Sequence, residues 1–139
     1  PLLPPEARAA IQRVMTAGAG VLRSAASLTE AARALDALAA GGDDRKPAEP
    51  GVDAWETANL HLVARALVTA ALRRAETRGS HWREDHPERD DAQWRRHLVL
   101  TARPGHHPGA EGPVLCALDV RATDTTAFPE TVVVTKEKQ

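Results

Sequence analysis

Apolar residues recur through the first half of the chain at three- and four-residue intervals, the period of one helix face. Ala7, Ala10, Ile11, Val14, Met15, Gly18, Val21 and Leu22 keep that spacing and predict a helix over residues 5–24. Pro4 and Pro5 suit its first turn, where a missing N–H costs nothing. Gly18 and Gly20 weaken its far end, each by about 1 kcal/mol relative to Ala, and mark a bend or a close crossing. Ser27-Leu28-Thr29-Glu30 reads as a capping box opening a second helix, with Leu28, Ala31, Ala32, Leu35 and Leu38 inward and Gly41-Gly42 as its stop. Asp53-Ala54-Trp55-Glu56 repeats the logic with an Asp cap. The third helix runs to about Thr77, with Leu60, Val63, Ala64, Leu67, Val68, Ala71, Leu72 and Ala75 on a face broad enough for two neighbours.

Between the second and third helices, residues 41–51 hold no apolar anchor but Ala48 and predict a mobile loop. Past the third helix the period changes. Gly79 stands where a helix C′ glycine is expected, and Asp90 is placed to cap a short helix with Gln93 at N3. His97–Thr101 and Val114–Val120 read as strands, and Thr131–Thr135 as an edge strand or a disordered tail. The resulting fold class is mainly α: a three-helix bundle, spectrin-repeat-like and up-down-up, followed by a short β-hairpin tail. Residues 1–97 form the helical domain and 98–139 a partly disordered tail.

Composition sharpens this picture in three ways. One Phe, one Met and no Tyr leave a core of Ala, Leu and Val, which buries little area per residue and depends on close helix packing. A net charge of -1 matches neither a nucleic-acid binder nor an acidic tail. Cys116 is the only cysteine, no apolar run approaches a membrane span, and the N-terminus lacks a signal pattern. A soluble chain of the cytoplasm, binding no nucleic acid and no membrane, is the expectation. A start at Pro1 in place of Met is expected of a piece cut from a longer polypeptide.

Candidate chemistry concentrates between Arg73 and His97, where seven arginines interleave with six carboxylates beside Trp82 and Trp94. His81, Asp85 and His86, or His106 and His107 with Cys116, invite a metal, but their spacings match no recurring ligand set, and no metal is expected. Cys116 lies in an apolar run, where cysteine acts as a small hydrophobe. No Gly-x-Gly-x-x-Gly or Gly-x-x-x-x-Gly-Lys sequence offers a phosphate cradle. A solvated charged turn is the plain alternative for this stretch. Arginine's bidentate pairing and the area of two tryptophans favour a docking surface instead, with both indoles more exposed than is usual.

The run Glu76-Thr77-Arg78-Gly79-Ser80-His81-Trp82-Arg83-Glu84-Asp85-His86-Pro87-Glu88-Arg89-Asp90-Asp91, with Trp94 and His97 following, also resembles a family signature. It is similar to the Glu-Ser-Arg-Gly-x-His-x-Arg-x-Asp-Tyr-Pro-x-Arg-Asp-Asp of the C-terminal helical domain in the succinate dehydrogenase and fumarate reductase flavoprotein family. Asn59-Leu60-x-x-Val63-Ala64 and Met15-x-x-x-Ala19-Gly20-Val21-x-Arg23 are similar too. The L-aspartate oxidase branch is the nearer likeness, since Arg95-Arg96-His97-Leu98 and a short tail replace the Lys-His-Thr continuation of the dehydrogenase and reductase subunits. His86 departs from the Tyr or Phe common at its position.

The resemblance implies a parent enzyme that binds FAD and oxidises L-aspartate to iminoaspartate, the first step toward quinolinate and NAD. Its flavin fold, capping domain and catalytic His and Arg would precede Pro1. No catalytic, cofactor-binding or metal residue is therefore carried onto this chain, which alone is expected to bind no FAD and to be inactive. The implied partners are the flavin-binding and capping domains of the same parent, met through Arg78, His81, Trp82, Arg83, Asp85, Arg89, Asp91 and Trp94. A homo-oligomer through the same exposed face is the other partner considered. The alternatives are a succinate dehydrogenase or fumarate reductase subunit, or a stand-alone helical interaction module.

Overall fold

The computed structural model describes residues 2–40, 48–103 and 117–124, and these are mainly helical: four helices with two small strand pairs. Helix α1 spans Ala7–Gly18, its first turn closed by Ala7 N–H donating to the Pro4 carbonyl at 2.9 Å. It stops well before the predicted residue 24. A Cβ on Gly18 would stand 2.8 Å from Ala31 Cβ and 2.9 Å from the Ser27 carbonyl oxygen, so this glycine allows the next helix to cross closely. The chain then extends into β1, Leu22–Arg23. Val21 and Leu22, predicted inward, are instead 79% and 58% exposed, because the chain has left the helix that would have turned them to the core.

Helix α2, Ala25–Ala40, begins one turn earlier than the predicted capping box. Ser24 and Ser27 cap reciprocally: Ser24 N–H donates to Ser27 Oγ at 3.0 Å, and Ser27 N–H to Ser24 Oγ at 3.1 Å. Helix α3, Val52–Arg73, starts after Gly51, with Asp53 inside the first turn, where its negative charge suits the positive end of the helix dipole. Of the predicted mobile loop, residues 41–47 lie outside the described residues.

Helices α1, α2 and α3 each pack on the other two. The inward face of α3 is Ala54, Thr57, His61, Ala64, Val68 and Ala71, spaced three and four apart, against Leu28, Ala31, Leu35 and Ala39 of α2 and Ile11 of α1. Val63 and Leu67, predicted inward, lie on the outer face at 54% and 57% exposure, in line with Trp55 at 57%. His61 is an unforeseen core residue, with Nε2–H donating to the Leu35 carbonyl of α2 at 2.8 Å. Burial holds its pKa below the ordinary imidazole value despite that bond.

Helix α3 ends at Arg73, four residues before the predicted Thr77. A short strand β2, Trp82–Arg83, pairs in parallel with β1, and helix α4, Asp91–Trp94, follows. Asp90 caps α4 as expected, accepting the Gln93 N–H at 3.0 Å. Strands β3, Leu98–Arg103, and β4, Ala117–Ala122, pair antiparallel from Leu98↔Ala122 to Arg103↔Ala117 and lie against α3. The predicted strand residues Val114–Cys116 and Thr131–Thr135 lie outside the described residues, as do His106 and His107.

Candidate functional site

Beyond α3 the chain passes through bends, turns and the short strand β2, and opposite charges recur along it two residues apart. The sequence uses this three times: Arg74-x-Glu76-x-Arg78, Arg83-x-Asp85 and Arg89-x-Asp91. Each spacing is realised as an ion pair. That two-residue repeat is the mark of this charged stretch in the sequence. It competed with a helical reading that continued α3 to Thr77.

Arg83 lies at the centre, with a side chain only 2% exposed. Its Nη1 reaches the carbonyls of Ala71 at 2.8 Å, Leu72 at 3.3 Å and Arg74 at 3.1 Å, the acceptors left open where α3 stops. Its Nε and Nη2 donate to the two Asp85 oxygens, each at 2.8 Å. Asp85 Oδ2 in turn accepts the N–H of Ala25, the first residue of α2, at 2.9 Å. One fork-to-fork pair thus links the C-terminus of α3 to the N-terminus of α2, each charge at the helix end that favours it. The Arg83 bonds hold the Asp85 pKa well below the usual carboxylate range, against an opposing push from burial.

Glu76 forms a second centre with no exposed surface. Its Oε1 accepts from Arg74 at 2.6 Å and Arg78 at 2.7 Å, and its Oε2 from Arg78 and the Asp90 N–H, each at 3.0 Å. Burial pushes its pKa up, and the bonds from Arg78, the Asp90 amide and Arg74 outweigh it, leaving it lowered. Arg78, its pKa raised by Glu76 and Asp91, continues to Asp91, which Arg89 grips bidentately at 2.8 and 2.9 Å. The bonds from Arg89 and Arg78 lower the Asp91 pKa to about 2. Arg74 also donates to the Trp94 and Arg96 carbonyls and lies 5.5 Å from the Trp94 ring centre, a cation–π contact. Neither Arg74 nor Glu76 is among the eight docking residues expected from the sequence.

Gly79, with φ +58°, is not a helix cap. It is the first central residue of a two-residue hairpin turn closed by mutual backbone bonds between Arg78 and His81 at 2.9 and 3.0 Å. His81 is half-buried between Arg23 Nη1 and the Arg74 carbonyl, each at 3.1 Å. Burial, then the charges of Arg23, Arg83 and Arg74, lowers its pKa against the bond to Arg74.

The eight predicted docking residues therefore divide. Arg83, Trp94 and, in large part, Arg78 and His81 face inward, and Asp85 joins them to α2. Trp82, Arg89 and Asp91 face solvent. Of the two indoles expected to be exposed, Trp82 is, at 48%, while Trp94 is 7% exposed because Arg74 and the turn of α4 cover it. Trp82 pairs with Leu22 across β1–β2, and both side chains are exposed, as is that of Val21. Among the described residues no three metal-ligating side chains cluster, and no strand, glycine-rich turn and helix succeed one another in the form that cradles a dinucleotide.

Comparison with known proteins bears on this arrangement. The chain is 55% identical over 95% of its length to an L-aspartate oxidase of Streptomyces coelicolor, covering 22% of that protein. It is 34% identical over 66% of its length to a succinate dehydrogenase flavoprotein subunit of Rickettsia bellii, covering 17% of that one. In structure it is similar to Mycobacterium smegmatis Sdh1, solved in complex with UQ1, with a TM-score of 0.66 and 27% identity over 88% of this chain and 20% of that one. The chain spans about a fifth of the length of these relatives. The profile of the family described as fumarate reductase flavoprotein C-term matches residues 8–131, and the chain belongs to that family.

Proposed function

We propose that this chain is the C-terminal helical part of an FAD-dependent L-aspartate oxidase, acting in the cytoplasm at the entry to NAD synthesis. The observation that carries the reading is 55% identity, over nearly the whole chain, to a protein of that name. Residues 1–97 would form a spectrin-like up-down-up bundle and 98–139 its β tail. The described residues do not fit a flavin cradle. The cofactor and the oxidation of aspartate to iminoaspartate would then belong to the rest of the enzyme, and this part would be inactive alone.

Within this reading the stretch 76–97 is the seam to the flavin-binding and capping domains. Trp82, Arg89 and Asp91 would meet the partner, with Leu22 extending the apolar contact. Arg78, His81, Arg83, Asp85 and Trp94 would hold that face in shape from behind. A homo-oligomer through the same face is the competing occupant. Succinate or fumarate chemistry is the second reading, favoured by the likeness to a succinate dehydrogenase flavoprotein subunit.

The test is an assay of the intact flavoprotein carrying this chain with L-aspartate against succinate, beside absorbance spectroscopy of the 139-residue chain. Turnover of aspartate by the whole enzyme is expected, with no flavin band and no turnover for the chain alone. Stoichiometric FAD on the isolated chain, or succinate as the preferred substrate of the whole, would overturn the reading.

A further inference from the structure

His81 has its two ring nitrogens committed to different parts of the fold. A carbonyl oxygen only accepts, so Nε2 carries the hydrogen and donates to the Arg74 carbonyl at the end of α3. In a neutral ring Nδ1 is then an acceptor, and Arg23 Nη1 donates to it at 3.1 Å. Arg23 also donates through Nε to the Gly20 carbonyl at 2.7 Å, and its own carbonyl accepts the Glu84 N–H at 2.8 Å. The imidazole is thereby tied to the β1–β2 ladder, which has a register of only two residue pairs.

The charges that act most strongly on this ring are those of Arg23 from β1, Arg83 from β2 and Arg74 from beyond α3, and these are cationic. The carboxylates of the stretch are engaged elsewhere, Asp85 on Arg83 and Glu76 on Arg74 and Arg78. Among the described residues no carboxylate pairs with His81, so a positive charge on the ring would face Arg23 directly.

We propose that His81 is a proton-operated latch on the β1–β2 ladder. A proton arriving at Nδ1 turns the acceptor into a donor facing the Arg23 guanidinium, releases Arg23, and opens the ladder that displays Leu22 and Trp82. Burial and the three arginines keep the ring neutral around pH 7, so the latch is closed there and opens in acid. The device acts within this chain whether or not Trp82 meets a partner. Its failure and the failure of the docking reading are therefore separate results.

Nitrogen-15 histidine spectra and amide hydrogen exchange of the 139-residue chain, from pH 7.5 to 5, test it. His81 is expected as the Nε2–H tautomer, titrating below about 6.5. Protection of the Glu84 amide, corrected for intrinsic exchange, should fall with the same midpoint, by up to about tenfold per pH unit for one proton. In H81Q the amide side chain offers a donor and an acceptor but no titration, and Glu84 protection should stay level. An Nδ1–H tautomer, titration at or above 6.5, a Glu84 midpoint apart from that of His81, or a wild-type fall retained in H81Q each overturns the latch. So does simultaneous loss of protection in α2, which would mean global unfolding driven by His61. If H81Q fails to fold, the wild-type tautomer and the shared midpoint decide.

Discussion

The faces where α1, α2 and α3 meet and the stretch from Arg74 to His97 hold the same small fold by opposite means. The helix faces use alanine, leucine, isoleucine and valine, admitting Thr57 and His61 as buried polar groups. Their attraction is non-directional and grows with area, so it degrades by degrees when a side chain shrinks. The stretch uses forked arginine–carboxylate pairs and helix-end carbonyls, where each group has a specific partner. Removing one partner leaves the other charge stranded in a poorly solvated place, so the polar half fails in larger steps. Alanine-rich helices that gain modestly from burial are locked together here by charges placed at their ends.

The sharpest way to break that comparison is Arg83→Ala. It leaves the open carbonyls of α3 without their donor and Asp85, whose side chain is 31% exposed, without its fork, and the chain alone should lose about 4 kcal/mol, as expected when several helix-end acceptors go unsatisfied at once. Urea denaturation measures it. A loss under about 1 kcal/mol would mean that Arg83 serves a partner surface more than this fold. Leu35→Ala, at a side chain with no exposed surface, should cost about 3 kcal/mol in the same measurement. Equal losses at the two sites would erase the distinction between directional and graded halves.

Acid should act on both halves, and more gently. His61 and His81 lie below the ordinary imidazole pKa, and Glu76 and Asp85 below the ordinary carboxylate values. All four bind protons less readily folded than unfolded. Their stabilisation is complete above the unfolded pKa and is lost as pH falls toward the folded one. Thermal unfolding should therefore weaken in two stages, the histidines below about pH 6.5 and the carboxylates below about 4. Stability that stays flat from pH 7 to 5 would contradict the neutral histidines. The smallest effect on folding is expected at Trp82→Ala, within about 0.5 kcal/mol for this half-exposed indole. If the proposed seam is right, association with the flavin-binding remainder of the proposed parent enzyme should fall at least about tenfold, read by titration calorimetry. An unchanged affinity would remove Trp82 from the seam.

Much of this was legible along the chain, and the misses have identifiable causes. The cap at Asp90 could be read locally, since it depends on neighbours within a few residues, whereas the expected stop of α2 at Gly41-Gly42 lies outside the described residues. The start of α2 was misplaced because Ser24 and Ser27 are both competent caps, and only the pairing of β1 with β2 decides which is used. The end of α3 was overrun because Ala75 and Thr77 fit the helical pattern. Arg83, ten residues after Arg73, takes the carbonyls that a longer helix would have used. His61 is not legible as a core residue in the sequence, because a polar residue on an apolar face shows its carbonyl partner only when α2 is in place.

The order of the elements, the alanine-leucine character of the helix faces and the signature that marks the family are properties of the sequence by itself, because periodicity, capping and motif are local. Which arginines turn inward was decided by tertiary structure alone. A guanidinium looks the same at every position in a sequence, and its fate depends on whether folding brings a carboxylate and open helix carbonyls to it from distant parts of the chain. Arg83 found both and became internal, whereas Trp82 beside it found only Leu22 and stayed at the surface.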